Sequence, residues 1–171
     1  MHTQVNTPTA ELLYDRVIAG CNSKESSTDN IDSCILDICC GTGTIGICAM
    51  KANESKTGNY TPLLLGIELC EAAVENARRN AASNGISNFS GSATEKTRAD
   101  FICSRAESVL SDLLRSDDGG FYFNKAVNDA PAGNSVADME CIRSVMDGKR
   151  LQAIVDPPRE VNIFSSLFLI Y

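Results

Sequence analysis

The sequence predicts an α/β fold, an open, doubly wound, mostly parallel sheet with helices on both faces. Short apolar runs of strand length, near residues 31–40, 63–67, 100–103 and 151–155, alternate with segments of helical character. The first of these runs is nearly continuous in apolar residues, as a strand buried on both faces requires. A glycine-rich turn, Gly41-Thr42-Gly43-Thr44-Ile45-Gly46, joins that run directly to the helix that follows.

Thr7 and Pro8 open a first helix, with Thr7 as cap and Pro8 at the first helical position, and Leu13 and Val17 belong to its apolar stripe until Gly20. A polar linker, 22–30, leads into the first strand, Ile-Asp-Ser-Cys-Ile-Leu-Asp-Ile-Cys-Cys from Ile31. Beyond the glycine turn an apolar helix runs through Ile47 to Ala52 and breaks at Gly58-Asn59. Leu63 to Ile67 is the second strand, closed by Glu68. Glu71 to Asn84 is a helix with Ala73, Ala77 and Ala81 on one face and Gly85 as its stop. Arg78 and Arg79 are read as complements of that helix's dipole.

Residues 87–98 form a polar insertion before a short strand from Asp100 to Cys103 and a helix from Ala106 to Leu114. The stretch 116–149 is too long for an ordinary connection, and within it Ser135 caps a predicted short helix carrying Val136, Met139, Ile142 and Val145. The last strand, Leu151 to Val155, delivers Asp156-Pro157-Pro158-Arg159. Residues 1–159 are expected to be one partial domain with insertions at about 87–98 and 116–149, followed by a non-matching apolar tail, 160–171.

The 171 residues suit one domain, and 43% apolar side chains supply a core. A net charge of -7 is the opposite of a broad basic grip on nucleic acid, so any RNA contact is expected to be local or to lie elsewhere. The eight cysteines include no C-x-x-C pair, and His2 is the one histidine; a metal site is not expected. Several cysteines fall inside apolar strands, where they act as small hydrophobes, which points to reduced thiols in an intracellular setting. No apolar run approaches the ~20 residues of a membrane span, and Met1 is followed by polar residues. The expected setting is soluble, in cytoplasm or nucleus, with the mitochondrion as the open alternative.

In a parallel sheet ligands sit at the carboxyl ends of the strands, and Gly41 to Thr44, Glu68 and Asp156 all fall at such ends. Glycines there let the backbone approach a ligand, and the next helix presents unpaired N–H groups. Gly41-x-Gly43-x-x-Gly46 also fits a dinucleotide fingerprint, so a nicotinamide or flavin enzyme is one reading. Asp37, four residues before Gly41, tilts the choice toward methyltransferases, whose first motif resembles an acidic residue followed by such a loop. Glu68 suits either reading, because a carboxylate at that place accepts hydrogen bonds from ribose hydroxyls. Asp156-Pro157-Pro158 stiffens the strand exit and turns carbonyls and a carboxylate toward the cleft.

Four blocks, taken in order, resemble the RNA 5-methyluridine methyltransferases, most closely the eukaryotic tRNA uracil-5-methyltransferases. They are Gln4-Val5-Asn6-Thr7, Leu36 to Gly46, Gly66-Ile67-Glu68-Leu69-Cys70 with Ala73-Val74-Glu75, and Ile154 to Arg159. The resemblance implies a Rossmann-like class I fold that is incomplete, lacking its last strands, with S-adenosyl-L-methionine as cofactor and RNA, in particular tRNA, as partner. It implies that Gln4 contacts the methionine end, that Cys39, Gly41, Gly43 and Thr44 line the glycine loop, that Glu68 holds the ribose and that Asp156 sits near the methyl donor. Arg105-Ala106-Glu107 resembles the segment that passes the adenine.

The reaction implied is methyl transfer to carbon 5 of uridine. A cysteine thiolate adds to carbon 6, the resulting enolate takes the methyl group, and a base removes the carbon-5 proton. In the family the nucleophilic cysteine and a glutamate base follow the Asp-Pro-Pro-Arg block. Residues 160–171 depart from that continuation and hold no cysteine, so no catalytic residue is assigned. The chain is therefore expected to be truncated at both ends and to bind cofactor without turnover. Two other readings stay open: an amino-group methyltransferase using Asp156-Pro157-Pro158, and a non-catalytic regulatory fragment. For Cys39 and Cys40 the favoured reading is packing at a strand end rather than nucleophilic chemistry.

Overall fold

The computed structural model describes residues 7–21, 33–54, 63–90, 97–114, 141–142 and 144–156. The element order is α1 (Thr7–Cys21), β1 (Ser33–Ile38), α2 (Thr44–Glu54), β2 (Leu63–Glu68), α3 (Glu71–Ser83), β3 (Ala99–Cys103), α4 (Ala106–Leu114) and β4 (Arg150–Val155). All four strands are parallel, in the order β3-β2-β1-β4. The chain thus steps outward from β1 to β3 and then returns to the opposite side of β1.

That reversal goes with two helical layers, one on each face of the sheet. Val17 and Cys21 of α1, Ile47 and Met50 of α2, and Val74, Ala77 and Ala81 of α3 pack with Ile35, Leu64, Phe101 and Ile154 of the sheet. Val109 of α4, together with Ile142 and Met146, packs on the other face against Cys34, Leu36, Ile38, Leu65, Ile67 and Ile102. Burial of every residue of β1 and of the first five of β2 explains why these runs are not polar on alternate positions.

The four predicted strands and the helices predicted at 7–20, 47–52, 71–84 and 106–114 are present, with ends moved by a few positions. The α2 helix begins at Thr44, inside the glycine motif, rather than at Ile47. The α3 stop follows the expected pattern: Gly85 has φ 71°, and the Ile86 N–H donates to the Ala81 carbonyl at 3.0 Å. Arg78 departs from expectation, since α3 has no basic residue in its last turn; its Nη2 donates instead to the Phe101 carbonyl at 2.7 Å. Arg79 pairs with Glu75 one turn earlier at 3.1 Å.

The 87–98 insertion is more than a polar excursion. Phe89 is buried, Arg98 Nη1 donates to its carbonyl at 3.3 Å, and Ser87 bridges Arg98 in parallel fashion. In the long 116–149 stretch, residues 141–142 and 144–146 are helical, with Ile142 and Met146 buried. Ser135, Val136 and Met139 lie outside the described residues, as do Gln4, Pro157, Pro158, Arg159 and the 160–171 tail. No described helix is long and apolar enough to cross a membrane. All eight cysteines are free.

Candidate cofactor site

The strand order reverses at β1, with α2, which follows β1, packed on one face and α4, which precedes β4, on the other; the carboxyl end of β1 is where such a sheet receives a ligand. The first sequence-assigned residue there, Cys39, turns the chain out of the sheet with φ 62°, a left-handed conformation that few non-glycine residues adopt. Strands on both sides hold the turn. The Cys40 N–H donates to the Ile67 carbonyl of β2 at 3.1 Å, and the Asp156 N–H donates to the Ile38 carbonyl at 3.3 Å. Gly41 and Gly43 continue with φ 55° and 74°, and the Gly43 N–H closes the loop on the Cys40 carbonyl at 2.8 Å. Thr44 is the exposed first residue of α2, its Oγ1 3.1 Å from that of Thr42. From α3, Asn80 Nδ2 donates to the Thr42 carbonyl at 3.0 Å.

Glu68 ends β2 beside this loop, and its carboxylate is held by three backbone donors. Oε2 accepts from the Gly41 N–H at 3.0 Å, while Oε1 accepts from the N–H groups of Leu69 at 2.8 Å and Cys70 at 2.9 Å. A carboxylate has about four acceptor positions, so Oε1 is filled and Oε2 retains room for one further donor. A Cβ built on Gly41 meets nothing within 4 Å, so open space lies beside the loop at that residue. Cys39, Gly41, Gly43, Thr44, Glu68 and Asp156 therefore sit at one end of the sheet, Glu68 as the last residue of β2 and Asp156 just past β4, the two strands flanking β1. Gln4 is the one assigned residue outside the described chain.

Burial pushes the thiols of Cys39 and Cys40 up, and the nearby carboxylates of Glu68 and Asp37 push them further. Both stay protonated at neutral pH, which favours packing over nucleophilic chemistry at these two positions. Among the described residues, no group of three or more His, Cys, Asp or Glu side chains is arranged to hold a metal ion.

Two features of the site were not assigned from sequence. Asp37 lies inside β1, 1% exposed, and its Oδ2 accepts the Gly46 N–H at 3.0 Å. It thereby satisfies one of the orphan donors in the first turn of α2. Its Oδ1 has no hydrogen-bond partner among the described residues. Burial raises its carboxyl to about 7 against the lowering effect of the Gly46 hydrogen bond, with Asp156 and Glu68 adding to the rise. The signal for this role was present as an acidic residue in the middle of an apolar run.

Gly46 is the second feature. A Cβ there lies 2.6 Å from Leu64 Cδ1 and 2.7 Å from Asp37 Oδ2. Alanine normally gains about 1 kcal/mol over glycine inside a helix. Forcing α2 off the sheet costs about 1–3 kcal/mol and disturbs the Asp37 hydrogen bond, so the clash wins. Gly46→Ala is expected to lower the urea midpoint; an unchanged or raised midpoint refutes this account of the helix–sheet contact.

Comparison with known proteins matches the same elements. A family profile described as a methyltransferase domain matches residues 30–147. The tRNA (uracil-5-)-methyltransferase homolog B of Pongo abelii is 39% identical over 143 residues, covering 82% of this chain and 24% of the relative. The Mus musculus homolog A is 39% identical over 111 residues, covering 65% of this chain and 14% of the relative. The chain thus spans about a quarter or less of the length of these curated relatives. Among solved structures, a magnesium protoporphyrin IX methyltransferase from Synechocystis is 19% identical with a TM-score of 0.43, over 93% of this chain and 67% of that one. The resemblance read from the four sequence blocks is borne out by the curated relatives. The profile runs from the segment before β1 to the turn that precedes β4, and the chain belongs to the methyltransferase-domain family.

Proposed function

We propose that this chain binds S-adenosyl-L-methionine at the carboxyl ends of β1, β2 and β4, as the cofactor-binding part of an enzyme that methylates carbon 5 of uridine in tRNA. The observation that carries the reading is the Glu68 carboxylate, oriented by three backbone N–H groups beside open space at Gly41. That geometry fits a nucleoside: Oε2 has room for one ribose hydroxyl, and the missing Cβ at Gly41 leaves room for the ligand against the loop. When bound, the sulfonium supplies the methyl group.

The chain's own residues orient and enclose. Glu68 accepts the hydroxyl without having to reorganise, because its other acceptor positions are already filled by the backbone. We assign Cys39, Gly41, Gly43 and Thr44 to the loop side of the ligand and Asp156 to the β4 side, from their place at the carboxyl ends of the strands. Tethered by the Thr42 carbonyl to Asn80, the loop is held in register with α3. Support for the uridine reaction comes from the curated tRNA (uracil-5-)-methyltransferase relatives. Residues 160–171 hold no cysteine to act as the nucleophile that the resemblance implies, so the activity proposed for these 171 residues is cofactor binding.

Isothermal titration of S-adenosyl-L-methionine into the purified chain tests the reading. Saturable binding is expected, and a folded chain that gives no heat of binding overturns it. Methylation of uridine-containing tRNA by the same purified chain is expected to be absent; turnover refutes that part independently.

A further inference from the structure

Phe101 occupies an unusual position relative to the glycines of the site. In the sheet register Gly66 of β2 stands between Asp37 of β1 and Phe101 of β3. A Cβ on Gly66 lies 2.3 Å from Phe101 Cδ1 and 2.8 Å from Cε1, so the ring leans across the strand into the space that a side chain there would fill. The same ring reaches the glycine loop. A Cβ on Gly43 lies 2.8 Å from Phe101 Cε1 and 3.1 Å from Cζ, with Ala77 Cβ at 3.2 Å. The ring is 1% exposed, and its strand is tied to α3 by the 2.7 Å hydrogen bond from Arg78 to the Phe101 carbonyl. Two glycines on different elements are thus shaped around one side chain, which fills the gap between sheet and loop.

We infer that Phe101 is a positioning residue: its ring, carried on a strand that Arg78 ties to α3, supports Gly43 from beneath and sets the shape of the loop that receives the cofactor. The inference rests on the cofactor reading for its functional consequence and on the ring geometry for its structural one. Gly66 serves it by lacking a side chain. Gly66 has no positive φ to require glycine, so the space taken by the ring, together with Cys40 Sγ at 2.9 Å, is what excludes a Cβ there.

The test uses the full 171-residue chain and four variants: Phe101→Val, Gly66→Ala, the Phe101→Val/Gly66→Ala double variant, and Ile102→Val. Ile102 is also buried on β3 but faces the opposite layer, so its variant reports general loosening. Amide hydrogen exchange at Gly43 is measured without ligand, and S-adenosyl-L-methionine titration follows. Phe101→Val is expected to speed Gly43 exchange and weaken cofactor binding, each about tenfold, while Ile102→Val leaves both near wild type. Gly66→Ala alone is expected to weaken binding. In the Phe101→Val background the clash with the ring is gone and only that with Cys40 Sγ remains, so Gly66→Ala is expected to cost less binding there than in wild type.

Phe101→Leu replaces Phe101→Val if the latter does not fold. Equal Gly43 exchange in the Phe101 and Ile102 variants, or a cost of Gly66→Ala as large in the Phe101→Val background as in wild type, overturns the inference. If Gly43 exchange responds as expected but wild type does not bind S-adenosyl-L-methionine, the cofactor reading fails while the structural support by Phe101 stands.

Discussion

Asp37→Asn is expected to flatten the pH dependence of folding stability between about pH 4 and pH 7, and to stabilise the chain at pH 8. The carboxyl is ordinarily half-protonated at 3.8, and in the folded chain burial raises that point to about 7. Between these values the folded chain holds a proton that the unfolded chain has released. Unfolding therefore becomes easier as pH rises through this window, and above about 7 the full cost of the buried charge is present. At about 1.4 kcal/mol per pH unit, the rise from 3.8 to about 7 corresponds to ~4 kcal/mol as an upper bound.

Asparagine keeps an oxygen for the Gly46 N–H and removes the charge. Its amide leaves a buried N–H₂ where Oδ1 now lacks a partner, which costs about 1–3 kcal/mol. The net expectation is a gain of about 1–2 kcal/mol at pH 8 and a small loss at pH 4. Urea unfolding of both proteins across this range measures it. A wild-type stability that rises steadily from pH 4 to pH 7, with the same slope in the variant, contradicts a buried, proton-holding Asp37.

Glu68→Ala carries the second large effect, on binding rather than on folding. The substitution removes the acceptor for the proposed ribose hydroxyl and releases the Gly41, Leu69 and Cys70 N–H groups that hold the site's geometry. Loss of a charge-assisted hydrogen bond together with the loop's anchor is worth about 3 kcal/mol, or roughly 100-fold in cofactor affinity. The unfolding midpoint is expected to change much less, because Glu68 is half-buried and water replaces part of what the backbone loses. Glu68→Gln is expected to fall between the two, since its amide keeps one acceptor oxygen but turns a donor toward backbone donors. Titration of S-adenosyl-L-methionine into the three proteins decides the order; an Ala variant that binds within about twofold of wild type removes Glu68 from the site.

The motif positions were legible because chain chemistry restricts them locally. A carboxylate at the end of an apolar run and glycines straight after another are visible in any linear reading, and both ended at the same edge of the sheet. Arg78 shows the opposite case. Near a helix end it reads as a dipole partner, yet its acceptor is the Phe101 carbonyl, 23 residues away and on a strand. Phe89 and Thr97 likewise stand in a polar stretch but are buried, close in sequence to Ser87 and Arg98, which bridge each other just before β3.

Short apolar runs, helical spacing and turn chemistry were enough to define the strands, the helices, the glycine loop and the acidic residues at the strand ends, since each depends on neighbours a few positions away. The strand order β3-β2-β1-β4 was decided in three dimensions, by crossovers that place Glu68 and Asp156 on either side of the loop. The same packing made Asp37 a buried acid rather than one more polar residue in a strand, and it placed the Phe101 ring against both Gly66 and Gly43. Desolvation and close packing depend on residues brought together from distant parts of the chain, and no local pattern contains them.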